Sequence, residues 1–160
     1  MPTLKDSAEL AKEGVEKGAY VISKAAQEPE GILIAAGSEV NLAVEAQREL
    51  EKQGTFVNVV SMPSWDRFEK QPEAYKESVL PKNIKKRVTV EMGSKLGWRE
   101  YVGDSGIVMS IDSFGASAPG NEVIERYGYT VENVVNTYKK IITKKVGRRI
   151  VKMTNSDFPL

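Results

Sequence analysis

The chain has 160 residues, of which 41% are hydrophobic and 28% are charged, and its formal net charge is +1. These proportions predict one globular domain with its own core, and a charge near zero gives no global field that would select nucleic acid or an anionic membrane. The chain has no cysteine and no histidine, which excludes disulfides, thiolate chemistry, imidazole metal ligands and Ser-His-Asp catalysis and favours a cytoplasmic location.

The first segment, residues 1–18, is polar, contains two glycines and shows little periodicity, so we predict a linker from a preceding domain. A short strand is predicted at 19–22. The connection that follows contains Pro29 and Gly31 and is too short for a helical crossover. We therefore expect the first strand to run antiparallel to its neighbours.

The next stretch predicts a strand, a glycine turn and a helix. An apolar run at 32–36 is typical of a strand buried on both faces. Gly37 ends it, Ser38 is suited to cap a helix, and Glu39 would lie in the first turn, where the positive helix end favours a carboxylate. This succession is the building step of a parallel α/β sheet.

Further strands are predicted at 56–61, 87–92 and 107–111, and helices at 73–80, near 122–127 and after Thr130. The last of these helices has an apolar stripe at the helical period: Val131, Val134, Val135, Tyr138, Ile141 and Ile142. Together the elements predict an α/β fold over residues 19–143, with three α/β/α layers. Its five-stranded mixed sheet would have the first strand antiparallel to the other four. Residues 144–160 are expected to form a basic, extended tail.

Two glycine-serine turns follow predicted parallel strands. In open α/β sheets, ligands bind beyond the carboxyl ends of the strands, and helix N-termini attract anions. The turns therefore indicate a binding site for a small anion or a nucleotide, although neither carries a lysine or arginine, and capping with tight turn packing explains them equally simply. The candidate ligand-binding residues are Gly37, Ser38, Ser113, Gly115 and Ser117.

Four aromatic residues stand in segments without a predicted strand. They are Trp65, Phe68, Trp98 and Tyr101. Aromatic side chains of this kind anchor protein interfaces, and they also cover the edges of cores. Both interpretations remain open from the sequence.

Other motifs give weaker indications. VGDSG at 102–106 looks like a protease nucleophile loop, but Ser105 has no histidine to serve it, so we predict a glycine turn. Catalysis by a carboxylate such as Glu91 or Asp112 would require a raised pKa.

A basic run near the C-terminus is expected to be solvated rather than to bind nucleic acid or a membrane. Its members are Lys139, Lys140, Lys144, Lys145, Arg148 and Arg149.

The order of the segments resembles the C-terminal domain of transketolases. The matching segments are GAYVISKA, ILIAAGSEVNLAVEAQREL, VNVVSMPSWDRFEKQ, YKESVLP, SKLGWREYVG, DSFGASAPGNEV and RYGYTVENVV. The specific part is SMPSWDRFEKQ together with the DSFGASAPG turn. The last seventeen residues, 144–160, differ from the short ending usual in this family, and the chain looks like an excised domain.

The resemblance implies a function that the residues alone do not. Transketolases are homodimers of three-domain chains that transfer a two-carbon ketol unit between sugar phosphates in the pentose phosphate pathway. Their thiamine diphosphate and Mg²⁺ (or Ca²⁺) bind to the first two domains. For this chain the resemblance implies a structural and interface role, with no catalytic, metal-binding or cofactor-binding residue and no activity of its own. Its partners would be the other domains of the parent and a second copy. The alternative is a regulatory module that binds a small anion.

Overall fold

The computed structural model describes residues 4–37, 39–91, 98–103, 105–110, 130–143 and 149–152. The helices are α1 (Leu4–Lys17), α2 (Glu39–Lys52), α3 (Trp65–Glu69), α4 (Glu73–Val79), α5 (Arg99–Val102) and α6 (Val131–Thr143). The strands are β1 (Tyr20–Ser23), β2 (Gly31–Ala35), β3 (Val57–Ser61), β4 (Lys86–Val90), β5 (Ile107–Ser110) and β6 (Arg149–Lys152). In this part of the chain, no helix has the length and apolar character needed to cross a membrane.

All the strands belong to one sheet, in the order β1-β3-β2-β4-β5-β6. Strand β1 pairs antiparallel with β3, and every other neighbouring pair is parallel. The prediction of five strands with the first antiparallel to the other four is therefore confirmed, and β6 extends that sheet by one strand. The short connection after β1 does reverse the chain, but β1 lies beside β3 rather than β2.

Helices cover both faces of the sheet, which confirms the three-layer α/β/α architecture. On β2, Leu33 and Ala35 pack toward α2 and α6, while Ile32 and Ile34 pack toward α3, α4 and α5. All four side chains are fully buried, as expected for a parallel strand with both faces covered. Apolar residues from both sides of the sheet thus form two cores with β2 between them.

The N-terminal segment contains helix α1, which the sequence did not reveal. The helix is tied to the fold by side chains from other elements: Arg67 Nη1 donates to the Val15 carbonyl at 3.2 Å, and Lys17 Nζ lies 4.5 Å from the centre of the Tyr75 ring. Gly14 lies against the Tyr20 ring with no room for a side chain. These contacts are a hydrogen bond to a backbone carbonyl, a cation–ring contact and a close approach at a glycine. None of them produces a hydrophobic periodicity in the sequence. A linker role for residues 1–18 remains a prediction.

The C-terminal segment also differs from the expectation of an extended tail. Within 144–160, residues 149–152 form β6, which pairs parallel with β5 in the register Ile107–Arg149 to Ser110–Lys152. The strand follows α6 and so completes a β5-α6-β6 crossover of the kind that joins parallel strands. The fold therefore continues beyond residue 143.

Two of the described helices begin with a side-chain cap. The Ser64 hydroxyl accepts from the Arg67 amide at 3.3 Å at the start of α3. The Thr130 hydroxyl accepts from the Asn133 amide at 3.2 Å at the start of α6. Each satisfies one of the amide groups that a helix start leaves without an intrahelical partner.

Candidate functional site

The predicted ligand-binding turns are described by the structure only in part. Gly37 has a φ of +62°, a left-handed conformation that suits glycine. Ser38, Ser113, Gly115 and Ser117 lie outside the described residues, as do Asp112 and the helix predicted near 122–127. The structure therefore does not show whether the two turns come together.

The surroundings of Gly37 do not favour an anion. Glu39, in the first turn of α2, is buried, and its Oε2 lies 3.7 Å from the point where a Cβ on Gly37 would stand. A carboxylate at this position already interacts favourably with the positive end of the helix. A second negative group placed there would be repelled by Glu39.

The four predicted interface residues, by contrast, form one aromatic cluster. Trp65 and Trp98 are 5.1 Å apart between ring centres and nearly perpendicular, at 85°. Tyr101 lies 6.1 Å from Trp65, 6.2 Å from Phe68 and 6.3 Å from Trp98. Three of these four contacts are edge-on, which is an arrangement that the ring quadrupoles favour. Three of these residues lie in the short helices α3 and α5, neither of which was predicted from the sequence.

Burial divides the cluster into an inner and an outer part. Phe68, Trp98 and Tyr101 are at most 7% exposed, and they belong to the core between the sheet and helices α3 to α5. Trp65 is only partly buried and packs at the margin of that core. Within this chain the inner three cover the sheet. Trp65 is the member whose ring is still accessible, and its interface role remains a prediction.

A polar network lies at the edge of the aromatic cluster. The Tyr101 hydroxyl donates to Glu69 Oε1 at 2.8 Å, and Lys76 Nζ lies 3.7 Å from Glu69 Oε2 and 3.0 Å from Glu73 Oε1. Burial, together with the Glu69 carboxylate, raises the pKa of Tyr101. The pKa of Lys76 is raised because it donates to Glu73. These groups satisfy one another and hold α3, α4 and α5 together.

Arg87 is a polar residue that the sequence did not single out. From the start of β4 its guanidinium donates to four backbone carbonyls: Ile84 at 2.9 Å, Tyr101 at 2.7 Å, Leu80 at 3.2 Å and Pro81 at 2.7 Å. The Leu80 carbonyl ends α4 and the Tyr101 carbonyl belongs to α5, and such carbonyls lack intrahelical partners. Burial lowers the pKa of Arg87, and Glu77 partly opposes that effect.

A cleft opens beside Arg87, where β4 and β5 begin. Its volume is about 290 Å³. We call it the amino-edge cleft, because its lining residues lie at or just before the amino ends of these parallel strands. The sequence contained one signal for it, the basic stretch KNIKKR at 82–87. The residues that line the cleft are Lys82, Lys85, Arg87, Val102, Gly103 and Ser105.

Comparison with known proteins decides the family. The profile of the family described as "Transketolase-like TK C-terminal domain" matches residues 18–130, which is well over half of the chain. The chain belongs to this transketolase C-terminal domain family. It is 54% identical over 145 residues to a transketolase from Geobacillus stearothermophilus, an alignment that covers 90% of this chain and 22% of that protein. It is 57% identical over 145 residues, with the same coverage, to a transketolase from Bacillus subtilis.

Solved structures agree with this assignment. A crystal structure of a transketolase variant from Pichia stipitis superimposes with a TM-score of 0.74 at 35% sequence identity, covering 84% of this chain and 20% of that one. The chain thus spans about a fifth of the length of the transketolases that it matches. Within this transketolase C-terminal domain, the matched range 18–130 contains the aromatic cluster and Arg87, whereas α1, α6 and β6 lie outside it.

Proposed function

We propose that this chain is a noncatalytic structural and interface domain of a transketolase. The parent would transfer a two-carbon ketol unit between sugar phosphates in the pentose phosphate pathway, as a homodimer in the cytoplasm. Relatives with 54% and 57% identity are transketolases, and the chain corresponds to 22% of their length. The remaining length of such a parent has ample room for the catalytic domains.

The main support for a structural role comes from the hydrogen bonds of Arg87. A side chain that could bind a substrate phosphate instead donates to four backbone carbonyls of its own chain. Gln47 is used similarly: it is buried and bonds to the Ser23 and Val57 carbonyls of two strands. Polar side chains at these positions hold elements together, which supports a scaffold.

The interface role is supported by Trp65. Its ring is supported by Trp98 at 5.1 Å yet is only partly buried. Rigid aromatic side chains held in this way are frequent energetic anchors of protein interfaces. We therefore propose that Trp65 contacts another domain or subunit of the parent.

The cofactor of the parent does not fit the described part of this chain. Thiamine diphosphate enzymes bind their diphosphate with a divalent cation, and Mg²⁺ and Ca²⁺ need clustered oxygen ligands. Among the described residues, no group of three or more acidic, histidine or cysteine side chains could hold a metal. We assign thiamine diphosphate and its cation to the other domains of the parent.

A complementation experiment tests this function. The purified chain, supplied with thiamine diphosphate, Mg²⁺ and a ketose and an aldose phosphate, is expected to show no turnover. Added to a transketolase truncated before its C-terminal domain, it is expected to restore stability and activity in trans. Trp65→Ala should weaken that restoration, whereas Lys52→Ala, whose side chain is 75% exposed on α2, should not. Turnover by the chain alone would overturn the proposal.

A further inference from the structure

The amino-edge cleft has an unusual balance of charge. Three of its described lining residues are cationic, namely Lys82, Lys85 and Arg87, and none of the described lining residues is acidic; Asp104, between the lining residues Gly103 and Ser105, lies outside the described part of the chain. Lys82 and Lys85 are exposed, so their ammonium groups are free to reorient toward a ligand. The described lining thus carries a net positive charge, although the chain as a whole is almost neutral.

Arg87 contributes a fixed charge to the cleft, and no carboxylate of the described residues forms an ion pair with it. Its hydrogen-bond partners are all neutral carbonyls, and burial removes part of its hydration. Among the described acids, Glu77 acts on Arg87 electrostatically, and its carboxylate oxygens accept from the Lys82 amide at 2.9 and 3.2 Å. A half-buried cation without an ionic partner attracts an anion, because low local polarity strengthens the interaction.

The lining of the cleft also includes a hydroxyl that can form hydrogen bonds, that of Ser105. Gly103 has a φ of +72° and the Gly106 amide donates to its carbonyl at 3.4 Å, which closes a tight turn. Ser105 is exposed in that turn and lines the cleft. The VGDSG segment, which had no catalytic explanation, thus places a hydroxyl beside two lysines and an arginine.

We infer that the amino-edge cleft binds a phosphate group, held by Lys82, Lys85 and the Ser105 hydroxyl beside the fixed charge of Arg87. Pockets for drug-sized ligands are roughly 300–1,000 Å³, and a cleft of about 290 Å³ stands at the lower end of that range. The ligand is therefore inorganic phosphate or a small phosphate monoester rather than a nucleotide. This site is separate from the structural role and does not depend on it.

Amide spectra of the ¹⁵N-labelled chain test the inference. Inorganic phosphate and glycerol 3-phosphate are titrated separately, at an ionic strength held constant with sodium chloride. We expect saturable shifts at the amides of Lys82, Gly103, Ser105 and Gly106, with a Kd of about 1 mM. Tighter binding of the ester would identify a monoester as the ligand, and equal binding would identify the phosphate group alone. Shifts that do not saturate, or that spread over all exposed lysines, would overturn the inference.

Matched variants sharpen the test. The double variant Lys82→Gln with Lys85→Gln is expected to weaken binding by about tenfold or more, the size of one lost charge-assisted contact. Glu77→Gln keeps an oxygen for the Lys82 amide but removes the competing charge, so it should strengthen binding. Lys52→Gln, which removes one positive charge on α2 outside the cleft, should leave the Kd unchanged. Equal weakening by Lys52→Gln and by the double variant would contradict a specific site.

Discussion

The hydroxyl of Tyr138 lies 3.3 Å from Oε2 of Glu30, across 108 positions of the chain. Lys86 Nζ lies 3.2 Å from the same oxygen, so Glu30 connects α6 to the start of β4. Tyr138 is fully buried, and its hydroxyl contacts Glu30, whose side chain is 37% exposed. The contact closes the core between the sheet and α6 at the amino edge of the sheet.

Gly31 is required by the position of Tyr138. A Cβ at residue 31 would overlap the Tyr138 hydroxyl and would stand 2.6 Å from Tyr138 Cε2 and 2.7 Å from the Lys86 carbonyl. Gly31→Ala is therefore expected to lower the free energy of unfolding by about 1–3 kcal/mol, the usual cost of overpacking. Urea denaturation measures the change.

The coupling to Tyr138 is the specific part of that prediction. Tyr138→Phe removes the atom in closest conflict, so it should reduce the cost of Gly31→Ala in a double-mutant cycle. Gly54→Ala provides the control, because residue 54 has a φ of +83° and no atom within 4 Å of an added Cβ. Its cost arises from backbone strain and should be unaffected by Tyr138→Phe. Strict additivity of Gly31→Ala and Tyr138→Phe would contradict the packing argument.

Alkaline pH is expected to destabilise the domain through its buried tyrosines. Burial, followed by the Glu30 carboxylate, raises the pKa of Tyr138, and burial with Glu69 does the same for Tyr101. Below pH of about 10 both hydroxyls are protonated in the folded and the unfolded state. Above it, the unfolded chain releases protons that the folded chain keeps, so stability falls as the pH rises.

Tyr138→Phe isolates one of these contributions. The slope of the free energy of unfolding against pH, measured between pH 9 and 11, should become shallower by up to about 1.4 kcal/mol per pH unit. Parallel curves for the variant and the parent chain would show that Tyr138 ionises equally in both states.

Helices and strands that are determined by residues close together in the chain could be predicted from the sequence. The β2-Gly37-α2 succession and the apolar stripe of α6 both follow from periodicities of two to four residues, and the caps Ser64 and Thr130 act within three positions. The four aromatic residues of the cluster around Tyr101 could also be singled out from the sequence. Their mutual packing depends on α3 and α5 meeting over the sheet, which no local pattern encodes.

Other features depend on contacts between distant segments. Helix α1 is polar. One of the contacts that hold it is the hydrogen bond from Arg67, 52 positions away, to the Val15 carbonyl. In the sequence, Arg87 is one of several basic residues in the stretch 82–87. Only the folded structure shows that the carbonyls at the ends of α4 and α5 lie around its guanidinium. Strand β6 has a mixed pattern and is defined by its pairing with β5. In each case the information lies in the tertiary structure.

The carbonyl contacts of Arg87 predict that lysine cannot replace it. A single ammonium group does not reach four carbonyls spread over residues 80 to 101, because lysine lacks the planar fork of donors. Arg87→Lys is expected to cost about 2–3 kcal/mol, since each buried carbonyl left unpaired costs roughly 1–3 kcal/mol. Lys85→Arg, an exposed exchange nearby, should change stability by less than about 0.5 kcal/mol. Equal urea midpoints for both variants would contradict the assignment.

Gln47 predicts a pH-dependent defect. Its Nε2 donates to the Val57 carbonyl at 2.8 Å and to the Ser23 carbonyl at 3.1 Å, and its Oε1 accepts from the Ser23 hydroxyl at 2.6 Å. Gln47→Glu keeps the shape but places a carboxylate, which cannot donate, against two carbonyls. Burial then raises the pKa of the new carboxyl above its ordinary value of about 4.3. We expect a loss of about 2–4 kcal/mol at pH 7.

The sign of the pH dependence distinguishes the effect of the ionised carboxylate from a loss of packing or hydrogen bonds, which would not depend on pH. The protonated carboxyl can donate one hydrogen bond, so the stability of Gln47→Glu relative to the parent chain should be greatest below pH of about 4. It should then fall as the pH rises, because the unfolded chain ionises first. Gln47→Met, which has no titratable group, should show a deficit that does not depend on pH. Urea denaturation at pH 4 and pH 7 measures both, and a Gln47→Glu deficit equal at the two values would show that residue 47 reaches water.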